Sequence, residues 1–343
     1  MIRLVLICAL AIGITGVLSA APGENKSPQL PFYERFVVID NACGWPTVTV
    51  LPDGTLVCLL WPHPVHGGTE GAVECWVSVD GGRFWTKAGI PVPNEPTKSR
   101  MNHAGGLAAD GSYVALVSGW NNRRRPAGWE PEPLEDDLDD AYGARRINPV
   151  PAVSRDGGRT WKQFPAFDAR EPSGRAVFPY GRIAPLPDGT LGATMYRDGA
   201  AFYISADGGA TWQRRGRISG DHAHSEAAWL NLSNGELFAA VRYDINPTTG
   251  EHGGVDAFRS TDGGRSWKPE GALTLPGQQP ADLTHLPDGR ILLTYGLRND
   301  GDRAINVRIG DGEARRWSGP IRLVDLEGAT HEPNRQRPRR DNG

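Results

Sequence analysis

Four copies of one octapeptide punctuate the chain: SVDGGRFW (Ser78 to Trp85), SRDGGRTW (Ser154 to Trp161), SADGGATW (Ser205 to Trp212) and STDGGRSW (Ser260 to Trp267). A degenerate fifth, IGDGEARRW, ends at Trp317. A second motif precedes each: LPDGTLVCLL at 51, LAADGSYVALV at 107, LPDGTLGATMY at 186, LSNGELFAAVR at 232 and LPDGRILLTYG at 286. Each unit thus reads as a hairpin closed by an Asp-Gly or Asn-Gly turn, then a second hairpin closed by the octapeptide. Four short strands repeating about every fifty residues describe the blade of a β-propeller. Composition agrees: 44 Gly, 28 Pro and 11 Trp accompany short apolar runs, without sustained helical periodicity.

The octapeptide is built for turning. Paired glycines permit positive φ, Ser and Asp bond back to turn amides, and Trp folds over the hairpin. Asp80, Asp156, Asp207 and Asp262 are therefore expected to be turn residues on the rim, not catalysts.

This S-x-D-G-G-x-x-W motif resembles the Asp box of sialidases and related bacterial-neuraminidase-repeat proteins, over roughly residues 36 to 320. The resemblance implies an all-β, sialidase-like propeller of the six-bladed type, with the active site at the centre of one face. Five hairpin-plus-box units are evident, and the sixth blade is incomplete. After Leu326 the text EGATHEPNRQRPRRDNG has no strand pattern. The expected organisation is a propeller over residues 32–326 and a disordered polar tail over 327–343. A strand from Phe36 to Ile39 is expected to help close the ring, leaving exposed edges.

Residues 1–21 read as a signal peptide: Arg3, an apolar run from Leu4 to Leu18, then Ser19-Ala20-Ala21. The alternative is an uncleaved anchor. The expected mature protein is secreted, extracellular or periplasmic, and not membrane-bound. Net charge is −3, which gives no basic field for nucleic acid. Nothing in the chain fixes its oligomeric state. Past the signal stand Cys43, Cys58 and Cys75, either buried thiols or with one bridge between Cys58 and Cys75. No paired Cys-x-x-Cys or His-x-x-x-His spacing occurs, so neither a metal nor an organic cofactor is expected. Between Trp120 and the second box lies an insertion with Arg123 to Arg125 and Glu135 to Asp140, a solvated loop or a lid.

In a propeller the first strand of each blade lines the channel. Nine residues before each turn glycine stand Trp45, Asn102, Tyr180, Glu226 and Pro280; seven after it stand Trp61, Ser118, Tyr196, Arg242 and Gly296. Blade four alone carries a carboxylate and a guanidinium there. They form either a structural ion pair or a site.

The resemblance implies the second. In sialidases, blade four carries a Glu that polarises a nucleophilic Tyr, and the next strand carries one Arg of a triad gripping the substrate carboxylate. HSEAAWLNLSNGELFAAVR resembles that arrangement, so it implies those roles for Glu226 and Arg242. The resemblance implies that the third triad Arg comes from blade five, where RNDGDRAINVR offers Arg298 or Arg303, and Arg298 sits closer to the strand end. Three departures stand beside this. The blade-one Arg-x-Pro motif is CGWP, with Gly44 in the Arg position; the acid/base loop HPVHGGTEGAVE offers His66, Glu70 or Glu74; and the sixth-blade Tyr is missing. Further channel-side candidates are Arg100, His103, Arg182, His224 and Asp282, and with Trp45, Trp61, Tyr180 and Tyr196 they suit a sugar ring. The expected function is a secreted exo-α-sialidase-type glycoside hydrolase acting on terminal acidic sugars of glycans. The alternatives are a non-catalytic carbohydrate-binding propeller and a truncated pseudoenzyme.

Overall fold

The computed structural model describes residues 37–42, 44–65, 69–121, 145–167, 176–244, 253–299 and 302–326. The expected signal peptide, His66, Cys43, the charged insertion and the polar tail lie outside them. Among the described residues the fold is all-β, and no helix is long and apolar enough to cross a membrane.

Blade one contains β1 (Gly44–Val50), β2 (Leu56–Trp61), the two-residue β3 (Gly71–Ala72), β4 (Glu74–Ser78) and β5 (Thr86–Gly89). Blade two follows with β6 (Lys98–Leu107), β7 (Tyr113–Asn121), β8 (Arg145–Ser154) and β9 (Lys162–Gln163). Blade three has β10 (Phe178–Pro185), β11 (Leu191–Tyr196), β12 (Ala200–Ser205) and β13 (Gln213–Ile218). Blade four has β14 (His224–Asn231), β15 (Leu237–Tyr243), β16 (Val255–Ser260) and β17 (Lys268–Ala272). Blade five has β18 (Gln278–His285), β19 (Ile291–Asn299), β20 (Asp302–Gly310) and β21 (Ile321–Asp325). Every blade is an antiparallel meander, except that β3 leaves blade one to pair with β6. These sheets do not close into a ring among the described residues.

The core lies between blades. Alternate residues of one strand face opposite neighbours: Ala227 and Trp229 pack toward Phe202 of blade three, while Ala228 and Leu230 pack toward Leu283 and Leu293 of blade five. Burying each such large side chain contributes about 1.5–3 kcal/mol. Between blades two and three the inner strands come close enough to pair in parallel, Ala104 with Gly181 and Gly105 with Arg182. Gly106 permits this approach, since a Cβ there falls 1.7 Å from the Ile183 carbonyl oxygen.

The octapeptides turn as expected. In all four, the Ser hydroxyl donates to the Asp Oδ1 at 2.8 Å and accepts the amide of the second glycine. The Trp indole donates to that glycine's carbonyl at 2.9–3.2 Å. The boxes also join blades. Gly158 of blade two abuts Cys75 of blade one, Gly209 abuts Val114, and Gly264 abuts Phe202. In the degenerate fifth copy Ala314 takes the place of the second glycine and adopts φ 55°.

One expectation is corrected, and one pair of alternatives is resolved. Residues 37–40 form no strand. The Asp40 carboxylate accepts the Asn41 amide at 2.8 Å and Asn41 turns left-handed, which tucks Ile39 and Ala42 under Cys58, Leu60 and Trp85. Val48 and Val50 on the same blade are left exposed. Of the two readings of the cysteines, buried thiols hold for Cys58 and Cys75, which are not bridged to each other. Cys75 stands opposite Leu59, so Cys58 points to the other face of the sheet.

Candidate active site

All five inner strands begin with a register break. β1 shifts between Gly44 and Thr47, β6 between Ser99 and Asn102, β10 between Tyr180 and Ala184, β14 between His224 and Ala227, and β18 between Gln278 and Ala281. Each break inserts extra residue length opposite a regular partner strand, which re-aims side chains at the strand end. Backbone strain concentrates at one of them, where Trp45 holds φ 52° after Gly44 at φ 115°.

The first four of these ends border a cavity of about 70 Å³. Its walls include Trp45, Asn102, Tyr180 and Glu226, one from each of blades one to four at the same offset from the turn glycine. Tyr196 and His103 join them, and Met101, Trp120, Phe178 and Pro179 complete the lining. The Tyr180 and Tyr196 rings meet edge-on at 6.4 Å, and Phe178 packs against both Tyr196 and Trp120. Arg146 lies over the Trp120 and Phe178 rings at 4.9 and 4.3 Å.

Glu226 occupies the β14 bulge, and Arg242 stands across from it on β15. Arg242 Nη1 donates to Glu226 Oε2 at 2.7 Å, and Nη2 pairs with Asp244 at 2.8 Å. Glu226 is 8 % exposed, so its carboxylate depends on that partner. Burial pulls the Arg242 guanidinium down, but the Glu226 and Asp244 charges outweigh it and hold the group firmly cationic. Burial raises both tyrosine phenols well above the ordinary range, and the Glu226 charge adds to it.

Arg298, at the end of β19, is exposed; its backbone amide donates to the Gly277 carbonyl at 2.9 Å, and its guanidinium makes no ion pair or hydrogen bond with the other described residues. Crowding by the protein lowers its guanidinium from the usual value, and the neighbouring Arg242 charge lowers it further. Glu226, Asp244 and Tyr180 are near enough to act in the other direction.

The other sequence candidates, His103 in the cavity wall apart, lie elsewhere. Arg100 is buried and pairs through one nitrogen with Glu95; its Nε and Nη1 have no partner. Arg182 spans the channel, donating to the Leu283 carbonyl at 3.2 Å, beside Asp282, whose carboxyl is raised by surrounding protein. Exposed Glu70 accepts the Thr97 amide at 2.8 Å, and Glu74 is held by Trp76 and Lys87. His103 sets both ring nitrogens at 3.2 Å from carbonyls, and burial lowers its basicity, so it is neutral at pH 7. Trp61 donates to the Val65 carbonyl, outside the cavity.

Sequence reasoning missed Trp120, Phe178, Arg146 and Asp244. Three had a signal, since Phe178 lies eleven residues before its turn glycine, and Trp120 and Asp244 each lie nine after theirs. Each is one strand period beyond an aligned position.

The BNR repeat-like domain family matches residues 137–336, more than half of the chain. The chain belongs to that family. This BNR-repeat protein is a sialidase-like propeller by architecture as well. It superposes on a Dyadobacter fermentans protein of unknown function with TM-score 0.67 and 21 % identity, covering 83 % of each chain. The NanB sialidase from Streptococcus pneumoniae gives TM-score 0.59 and 15 % identity over 88 % of this chain and 64 % of that one. The Trypanosoma rangeli sialidase gives 0.55 and 18 % over 85 % and 50 %. The BNR-repeat protein therefore spans between half and two thirds of these two sialidases. No curated protein matches it in sequence.

Proposed function

We propose that the chain is an exported sialidase-like glycoside hydrolase that acts on a terminal acidic sugar of a glycan. The observation that carries this reading is the Arg298 guanidinium, unpaired among the described residues and within the field of the Glu226–Arg242 pair, beside which a cavity is walled by Trp45, Tyr180 and Tyr196. A guanidinium without a partner in a half-dry mouth favours an anionic ligand, and the aromatic walls favour a sugar face.

A neutral nucleophile suits an anionic sugar, because a carboxylate would be repelled by it. Tyr180 and Tyr196 are neutral phenols within the field of Glu226. In this reading one of them attacks the anomeric carbon while Glu226 takes its proton, in place of the sixth-blade Tyr of sialidases. The glycosidic C–O bond breaks, and the leaving oxygen takes a proton from solvent at the open mouth. Export rests on the apolar run from Leu4 to Leu18.

One observation favours the second reading, a carbohydrate-binding propeller without turnover. Arg242 already spends both terminal nitrogens on Glu226 and Asp244, and Gly44 replaces a blade-one Arg. Calorimetric titration with sialic acid and with a neutral sugar of equal size tests the shared part of both readings. Binding of the acid alone supports them; equal binding of both, or of neither, overturns the assignment of Arg298.

A further inference from the structure

Behind the Glu226–Arg242 pair, at the same end of blade four, two histidines converge on one carboxylate oxygen. His222 lies in the bend that leads into β14 and His224 is the first residue of that strand. Asp256 reaches them from β16, across the end of β15. His222 Nδ1 lies 2.8 Å and His224 Nε2 2.9 Å from the same Asp256 Oδ2. The three ligand atoms all lie within 4.8 Å of one another.

The surroundings hold each ring in place. His222 stacks on Tyr243 with centroids 4.2 Å apart and planes 17° apart. His224 meets Phe258 edge-on at 4.9 Å and is buried to 1 % side-chain exposure. His224 Nε2 donates to the Asp256 carboxylate, which holds the ring proton there and leaves Nδ1 without a partner among the described residues. The His222 side chain is 47 % exposed, which opens a path from solvent to the cluster.

We propose that His222, His224 and Asp256 form a zinc site. Two imidazoles and one carboxylate suit a borderline transition ion, whereas calcium and magnesium take oxygen ligands almost alone. Three protein ligands leave a fourth position for water. Neighbouring ligand atoms around tetrahedral zinc are about 3.3 Å apart, so each Asp–His separation opens by about 0.5 Å and the two ring nitrogens, now within 4.8 Å of each other, settle at about 3.3 Å when the ion enters. The ion replaces the two ring protons now shared with Oδ2. In a neutral imidazole that proton moves to the opposite ring nitrogen; from an imidazolium it leaves to solvent. The expectation from sequence missed this site because its signal is a His-x-His pair with an Asp thirty-two residues later, not a paired zinc-ligand motif.

The test is calorimetric titration of the metal-stripped full chain with zinc chloride, paired with thermal melts and with Co²⁺ absorption. One zinc per folded chain is expected, with a melting point that rises on loading and visible d–d bands for cobalt. His222→Ala, at an exposed position, and the near-isosteric Asp256→Asn should each weaken binding at least about tenfold and abolish the rise. No saturable binding by the folded wild-type chain overturns the proposal. So does binding that both folded variants retain unchanged.

Discussion

Glu226 and Arg242 meet at 2.7 Å because a bulge in β14 places Glu226 directly across from Arg242 on β15. On a regular strand the added residue would be missing, and the carboxylate would turn toward a neighbouring blade. The bulge thus converts two ordinary ladder positions into a charged pair at a cavity. Asp244 completes the arrangement, so that Arg242 is clamped while Arg298 remains open to a ligand.

Arg298 is expected to govern affinity, not folding. Arg298→Ala should leave the melting point within about 1 °C, since the side chain makes no bond in the described structure and surface changes cost little. Its affinity for an acidic sugar should fall about tenfold or more, with Arg298→Lys intermediate because a single ammonium loses the planar fork. An affinity equal to wild type for Arg298→Ala would remove it from the site.

Gly158 links box and neighbouring blade. It sits at φ 88°, and a Cβ there falls 2.3 Å from Cys75 Sγ. Gly158→Ala should therefore destabilise by roughly 3 kcal/mol, combining left-handed strain with overpacking. Urea denaturation of Gly158→Ala, Cys75→Ala and the double variant measures the coupling. The double variant should be more stable than additivity predicts, and strict additivity would deny the contact.

Acid should unfold the propeller through its turns. Partial burial pushes the Asp156 carboxyl up, but bonds from Thr160, Ser154 and the Arg159 amide outweigh it and hold it at about 2. Asp262 is also at about 2, with burial opposed by Ser266 and Ser260, and so is Asp188, held by Thr190 and then Arg215. The folded values lie below the ordinary 3.8, so this stabilisation is complete above about pH 4 and is lost as pH falls through 2. Melting points should be flat from pH 7 to about 4.5 and then fall. A fall that is complete above pH 4.5 would contradict the assignment.

The two described cysteines should be silent in the native state. Burial pushes the Cys75 thiol to about 12, and Cys58 has no solvent exposure. Peptide mapping after iodoacetamide treatment should find Cys58 and Cys75 modified only in denaturant. Native labelling at either would mean that blade one opens.

Much of the fold was legible because the repeats dictate it. The Asp-Gly turns and octapeptides mark every hairpin, and the shared offset from the turn glycine brought Trp45, Asn102, Tyr180 and Glu226 to one cavity wall. What the sequence did not show was register. The bulge under Glu226, the turn that buries Ile39, and the opposite facing of Cys58 and Cys75 depend on pairing between strands. Arg100 read as channel-side from its place on an inner strand, and the resemblance offered Glu70 for the acid/base loop, yet Glu95 and the Thr97 amide engage them. Long-range partners such as Asp256 for His224 leave no local pattern.

The most direct test is hydrolysis of a fluorogenic α-sialoside by the purified chain, wild type against Glu226→Gln. An aryl leaving group departs without a protein acid, so the assay isolates the nucleophile and its base. The account predicts turnover by the wild type and a loss of about a hundredfold or more in Glu226→Gln, whose amide still fills the cavity but cannot accept the phenol proton. No turnover by a folded wild-type chain, or equal turnover by both proteins, would contradict it.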